Sequence, residues 1–125
     1  MANSYKDLLV WQRAIQMTLA VYRLSKAFPH DEIYGLTSQI RRASVSVASN
    51  IAEGYGRGSR GEYKLFLGMA RGSNCEVQTQ LTIARELGYG DSELQDDAEN
   101  LVEQVSKMLH AILEKLKQPK VVPGP

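Results

Sequence analysis

At 125 residues, with 43% hydrophobic and 23% charged positions, the chain has the size and composition of one soluble globular domain with one real core. Its formal net charge of +1 excludes any inference about a partner from total charge, and a single cysteine, Cys75, excludes an internal disulfide and any sign of an oxidising compartment. No apolar stretch approaches bilayer length, and MANSYKDLLVW has neither a signal-peptide pattern nor a cleavage site, so the expectation is a cytoplasmic protein without a membrane partner.

Charge is unevenly placed. Between residues 34 and 85 there are seven basic residues (Arg41, Arg42, Arg57, Arg60, Lys64, Arg71 and Arg85) against three acids (Glu53, Glu62 and Glu76), a net +4. From residue 86 onward, eight acids face four lysines, a net −4. Such asymmetry steers a polyanion or pairs one subunit with another.

The first predicted helix runs from about Asp7 to about Ala27. Leu8, Trp11, Ile15, Leu19 and Tyr22 recur at spacings of three and four and form its apolar stripe, and Pro29 stops it. The second spans about Leu36 to Tyr55, with Leu36, Ile40, Ala43, Val47, Asn50 or Ile51, and Gly54 at near-heptad spacing. Its many small residues (Ala43, Ser44, Ser46, Ala48 and Ser49) permit a close helix neighbour. Gly54, Gly56 and Gly58 end it at a glycine-rich turn.

Ser59 with Glu62 forms a capping box that opens the third helix, about Arg60 to Leu87. Its stripe is Tyr63, Phe66, Ala70, Ser73, Val77, Leu81 and Ala84, and its internal Gly68 and Gly72 point to close packing. The fourth helix starts near Asp91 or Ser92, with Gln95 placed for another capping box. Leu94, Ala98, Leu101, Val105, Met108, Ile112 and Leu116 form its stripe, and Val102, Leu109 and Leu113 broaden it. The fold class is therefore all-α, an antiparallel up-down-up-down four-helix bundle over residues 1–117, followed by a proline-rich disordered tail at 118–125.

Chemistry-bearing motifs are weak. The Gly-x-Gly-x-Gly turn follows no strand and lacks the Gly-Lys-Ser/Thr ending of a P-loop. A di-metal bundle site needs paired Glu-x-x-His motifs; Glu53 is followed by Gly56 and Glu76 by Thr79, so no metal and no cofactor are expected. Cys75 has no evident base and reads as a buried inert thiol, and His30 and His110 read as a loop residue and a partly exposed helix residue. No catalytic residue is assigned, and enzymatic activity is not expected.

Two groups remain. Asn50, Glu53, Ser73 and Glu76 lie on or beside core stripes, and read either as a pocket or as a buried hydrogen-bond network fixing the register of the second and third helices. Arg41, Arg42, Arg57, Arg60, Lys64 and Arg71 read either as contacts to nucleic-acid phosphates or as a solvated face with salt bridges such as Glu53 to Arg57.

Val10-Trp11-Gln12, Tyr34-Gly35-Leu36, Gln39-Ile40-Arg41-Arg42-Ala43, Ser49-Asn50-Ile51-Ala52-Glu53-Gly54 and Gly72-Ser73 with Glu76 together resemble a known family. It comprises small bacterial four-helix-bundle proteins encoded in intervening sequences of 23S ribosomal RNA genes, also labelled the S-twenty-three ribosomal protein family. The resemblance implies an antiparallel bundle assembling as a ring, typically a homopentamer. It also implies kinship with the accessory protein of diversity-generating retroelements, a basic pentamer that binds nucleic acid and a reverse transcriptase; that last partner is expected here only if genome context supports it. No catalytic residues come with the family. The expectation is a non-enzymatic oligomer binding RNA or DNA through its basic middle, or alternatively a protein-binding or structural oligomer. Val10, Met17 and Val21, with Val102, Leu109 and Leu113, lie off the main stripes and are expected to cover a subunit interface.

Overall fold

The computed structural model describes residues 4–119, so the last six residues of the expected tail lie outside the described residues. After a short 3-10 turn at Tyr5–Asp7 come α1 (Leu9–Ser25), a second 3-10 turn (His30–Glu32), α2 (Leu36–Gly56), α3 (Arg60–Glu86) and α4 (Ser92–Lys117). The chain is an all-α four-helix bundle.

Local chemistry explains the boundaries. The Ser59 side chain accepts from the Glu62 amide and starts α3; the Asp91 carboxylate accepts from the amides of Glu93 and Leu94 and starts α4. The helix ahead of the central turn runs through Gly56, and only Gly58, at φ +80°, takes the left-handed geometry that reverses the chain. Gln95 is not a capping residue: Asp91 already holds the cap, and the Gln95 amide is buried, donating to Leu81 O at 2.7 Å on α3.

The helices form a square. α1 touches α2 and α4, α3 touches α2 and α4, and the diagonal pairs do not meet. α2 and α3 share the most extensive contact. The reason is residue size: a Cβ at Gly54 would stand 2.6 Å from Phe66 Cβ, so glycine alone admits α3 at this distance. The directions alternate. Asn74 Nδ2 donates to Val102 O and Gln95 Nε2 to Leu81 O, so seven residues forward on α3 correspond to seven backward on α4.

The core is filled by Met17, Val21 and Leu24 from α1, Ile40, Val47 and Ile51 from α2, Leu67, Val77 and Leu81 from α3, and Val102, Val105 and Leu109 from α4. This corrects the expected stripe of α1. The inward residues are Val10, Ala14, Met17, Val21 and Leu24. Leu8, Trp11 and Ile15 are half-buried, and Leu19 and Tyr22 are exposed. The six residues expected to cover a subunit interface, Val10, Met17, Val21, Val102, Leu109 and Leu113, are all inside the monomer's own core.

Candidate interaction surfaces

The basic residues of the middle segment stand at separate places around the bundle. Arg41 Nε donates to Ser25 Oγ at 2.8 Å, and its guanidinium lies 4.6 Å over the Tyr22 ring, which ties it to α1. Arg57 pairs with Glu53 at 2.9 Å, reaches Glu62 at 3.7 Å and covers the Phe66 ring. Arg60 Nη2 donates to the carbonyls of Lys115, Leu116 and Gln118, closing the C-terminus of α4 where orphan carbonyls and the negative dipole end collect. Arg85 binds Asp96 and Glu99, both at 2.6 Å, and its hydrogen bond holds the Glu99 carboxyl below the usual carboxylate range. Arg42, Lys64 and Arg71 are exposed and carry no hydrogen bond or ion pair among the described residues; Arg71 acts on Glu114 through space.

Of the polar group, Asn50 Nδ2 donates to Ser46 O at 2.8 Å and Ser46 Oγ at 2.9 Å, and Ser46 Oγ shares a 2.9 Å hydrogen bond with Ser73 Oγ. Asn50 and Ser73, both half-buried, are thus joined through Ser46 across the α2–α3 seam. The structure keeps Glu53 and Glu76 out of this chain: both are exposed, and Glu53 is spent on Arg57. The deeply buried polar residues on α3 and α4 are instead Asn74 and Gln95, each 2% exposed, each bridging the two helices and each with its side-chain oxygen unpartnered. Asn74 was findable: it falls in step with Leu67, Ala70, Val77 and Leu81, one position from the Ser73 that the periodicity selects.

Elsewhere, Cys75 is exposed rather than buried, and His110 is exposed. No cluster of three or more His, Cys, Asp or Glu side chains among the described residues is placed to hold a metal ion. No helix of the described residues is long and apolar enough to cross a membrane. Tyr63 titrates above its ordinary range because it is buried and because Tyr55 lies beside it, at 6.1 Å between ring centres, an environment of packing rather than of proton transfer.

Leu9, Tyr34 and Leu87 are exposed singly, and the other exposed apolar side chains gather on two surfaces. One is the groove between α1 and α2, where exposed Tyr22, Ile33 and Val45 lie beside Arg41 and Arg42, with exposed Leu19 one helical turn before Tyr22 on α1. The other is the outward face of α3, where Leu65 and Met69 are 61% and 48% exposed. Gly68 and Gly72 lie on that outward face: a Cβ at either would meet nothing within 4 Å, so packing inside the chain does not account for them. Each glycine costs about 1 kcal/mol relative to alanine in a helix interior, with no compensating contact in the monomer.

A family model described as 23S rRNA-intervening sequence protein matches residues 6–111. Among solved structures, a protein of unknown function from the S23 ribosomal protein family of Bacteroides thetaiotaomicron VPI-5482 has the same fold. Its TM-score is 0.76 at 22% identity, covering 85% of this chain and 99% of that one. No curated protein matches the chain.

Proposed function

The chain belongs to the 23S rRNA-intervening sequence protein family, and we propose that it acts as a non-enzymatic oligomeric scaffold, a helical bundle whose task is to assemble and to present its outer surface to other molecules. The observation that carries this reading is the exposed apolar surface in the α1–α2 groove and on α3, which the core of one chain leaves uncovered. The family resemblance supplies five as the number of copies. The groups with shifted pKa values sit in structural pairs (Arg85 with Glu99, Tyr89 with Glu32, Glu114 with Lys117), apart from Tyr63, which is shifted chiefly by burial.

A second reading, binding of RNA or DNA, is favoured by the exposed and unpaired Arg42, Lys64 and Arg71. In an oligomer each recurs in every copy, and avidity multiplies weak phosphate contacts. Against it, Arg41, Arg57 and Arg60 are engaged within the chain. Filter binding to RNA at two salt concentrations separates the readings. A scaffold without a nucleic-acid role retains no RNA even at low salt. Phosphate binding predicts retention that falls steeply as salt rises and is lost in an Arg42→Glu, Lys64→Glu, Arg71→Glu variant.

A further inference from the structure

We propose that the apolar groove between α1 and α2 receives the outward face of α3 from a second copy of this chain. The proposal rests on the oligomeric reading and adds which faces meet.

α1 carries two apolar stripes where a bundle position uses one. The inner, from Val10 to Leu24, is consumed by the core. The outer ends in Leu19 and Tyr22, 48% and 38% exposed; Tyr22, with Val45 of α2 and Ile33 of the preceding loop, lines a groove that also holds Arg41 and Arg42, and Leu19 stands one helical turn before Tyr22 on α1. The complementary surface must be apolar, narrow and acidic where it meets Arg41 and Arg42.

α3 offers one. Gly61, Leu65, Gly68, Gly72, Cys75 and Thr79 recur at spacings of four and three, the seam by which one helix lies along another. Leu65 supplies a projecting side chain, and the glycines have open space at the Cβ position, so a neighbouring surface can approach the backbone. Toward its C-terminal half the same face carries exposed Ile83 with Glu76 and Glu86, acids that answer Arg41 and Arg42. α4 is more acidic but exposes no large apolar side chain among the described residues, so it does not fill the groove.

Height agrees as well. Arg42 and Glu76 line one cleft within a chain, so they stand at the same level of the bundle, and two copies side by side bring the basic rim of one opposite the acids of the next. The two faces differ, so the contact is head-to-tail and repeats until a ring closes.

The test uses two double variants at positions already 43% to 61% exposed: Leu19→Glu with Val45→Glu on the groove, and Leu65→Glu with Met69→Glu on α3. Circular dichroism checks that both keep the bundle. Each alone should run as a 13.9 kDa monomer, and an equimolar mixture should form a dimer of one chain of each and nothing larger, because one good groove and one good α3 face remain. A mixture that stays monomeric, or a variant that retains the parent mass, overturns the pairing while leaving oligomerisation standing. A parent chain that is itself monomeric overturns both. Charge exchange gives an independent arm: Arg42→Glu should weaken assembly several-fold and Glu76→Arg, at the same level of the bundle, should restore it in the same chain, whereas additive losses contradict the proposal.

Discussion

Single side chains decide how close the helices come. Gly54 is the clearest, because its missing Cβ is the space that Phe66 occupies. Gly54→Ala should destabilise the bundle: overpacking costs about 1–3 kcal/mol, while the gain in helix propensity returns only about 0.5–1 kcal/mol. Urea denaturation checks this, and a midpoint at or above the parent's would mean that α2 and α3 part there without penalty. Asn74 and Gln95 act differently. Each amide reaches a backbone carbonyl on the opposite helix, and each leaves an oxygen unpartnered in the interior. An orphaned buried acceptor lowers stability, so these residues serve the register of α3 on α4 more than the depth of the native well.

At the scale of elements, helix ends are where the bundle is fastened. Arg60, at the start of α3, closes three carbonyls at the end of α4, and Tyr89 and Glu32 join the loops at the opposite end. Arg60→Ala should therefore fray α4 locally. Hydrogen exchange should quicken in its last turn, with a stability loss of about 0.3–1 kcal/mol, and no change in exchange there would remove the capping role. The elements themselves were legible in the sequence: helix boundaries fall within about two residues of those expected, because Ser59, Asp91 and Pro29 are strong punctuation. Which face of α1 turns inward was not, since both stripes satisfy the same spacing and the outer one holds the larger side chains, Trp11 and Tyr22. Side-chain size favours the outer stripe, whereas the inward positions hold Ala14 and Met17, both fully buried. The same one-position ambiguity selected Ser73 over Asn74. The candidate surface was half legible. The basic residues are visible as a list, but their partners, Ser25 for Arg41 and the α4 carbonyls for Arg60, come from distant parts of the chain that no local pattern joins.

For the whole molecule, the core of one chain accounts for each inward stripe and leaves two outward apolar surfaces without cover. The acidic outer surface of α4 is partly neutralised by Arg85, and the remaining charges sit on a solvated face. We propose that a bundle of this shape completes its surface by association. Size exclusion coupled to light scattering, on the full chain at micromolar concentration and moderate salt, measures it directly. A single mass at a whole multiple of 13.9 kDa, five-fold if the family resemblance holds in number, is the predicted result. A mass of 13.9 kDa that persists as concentration is raised would contradict it.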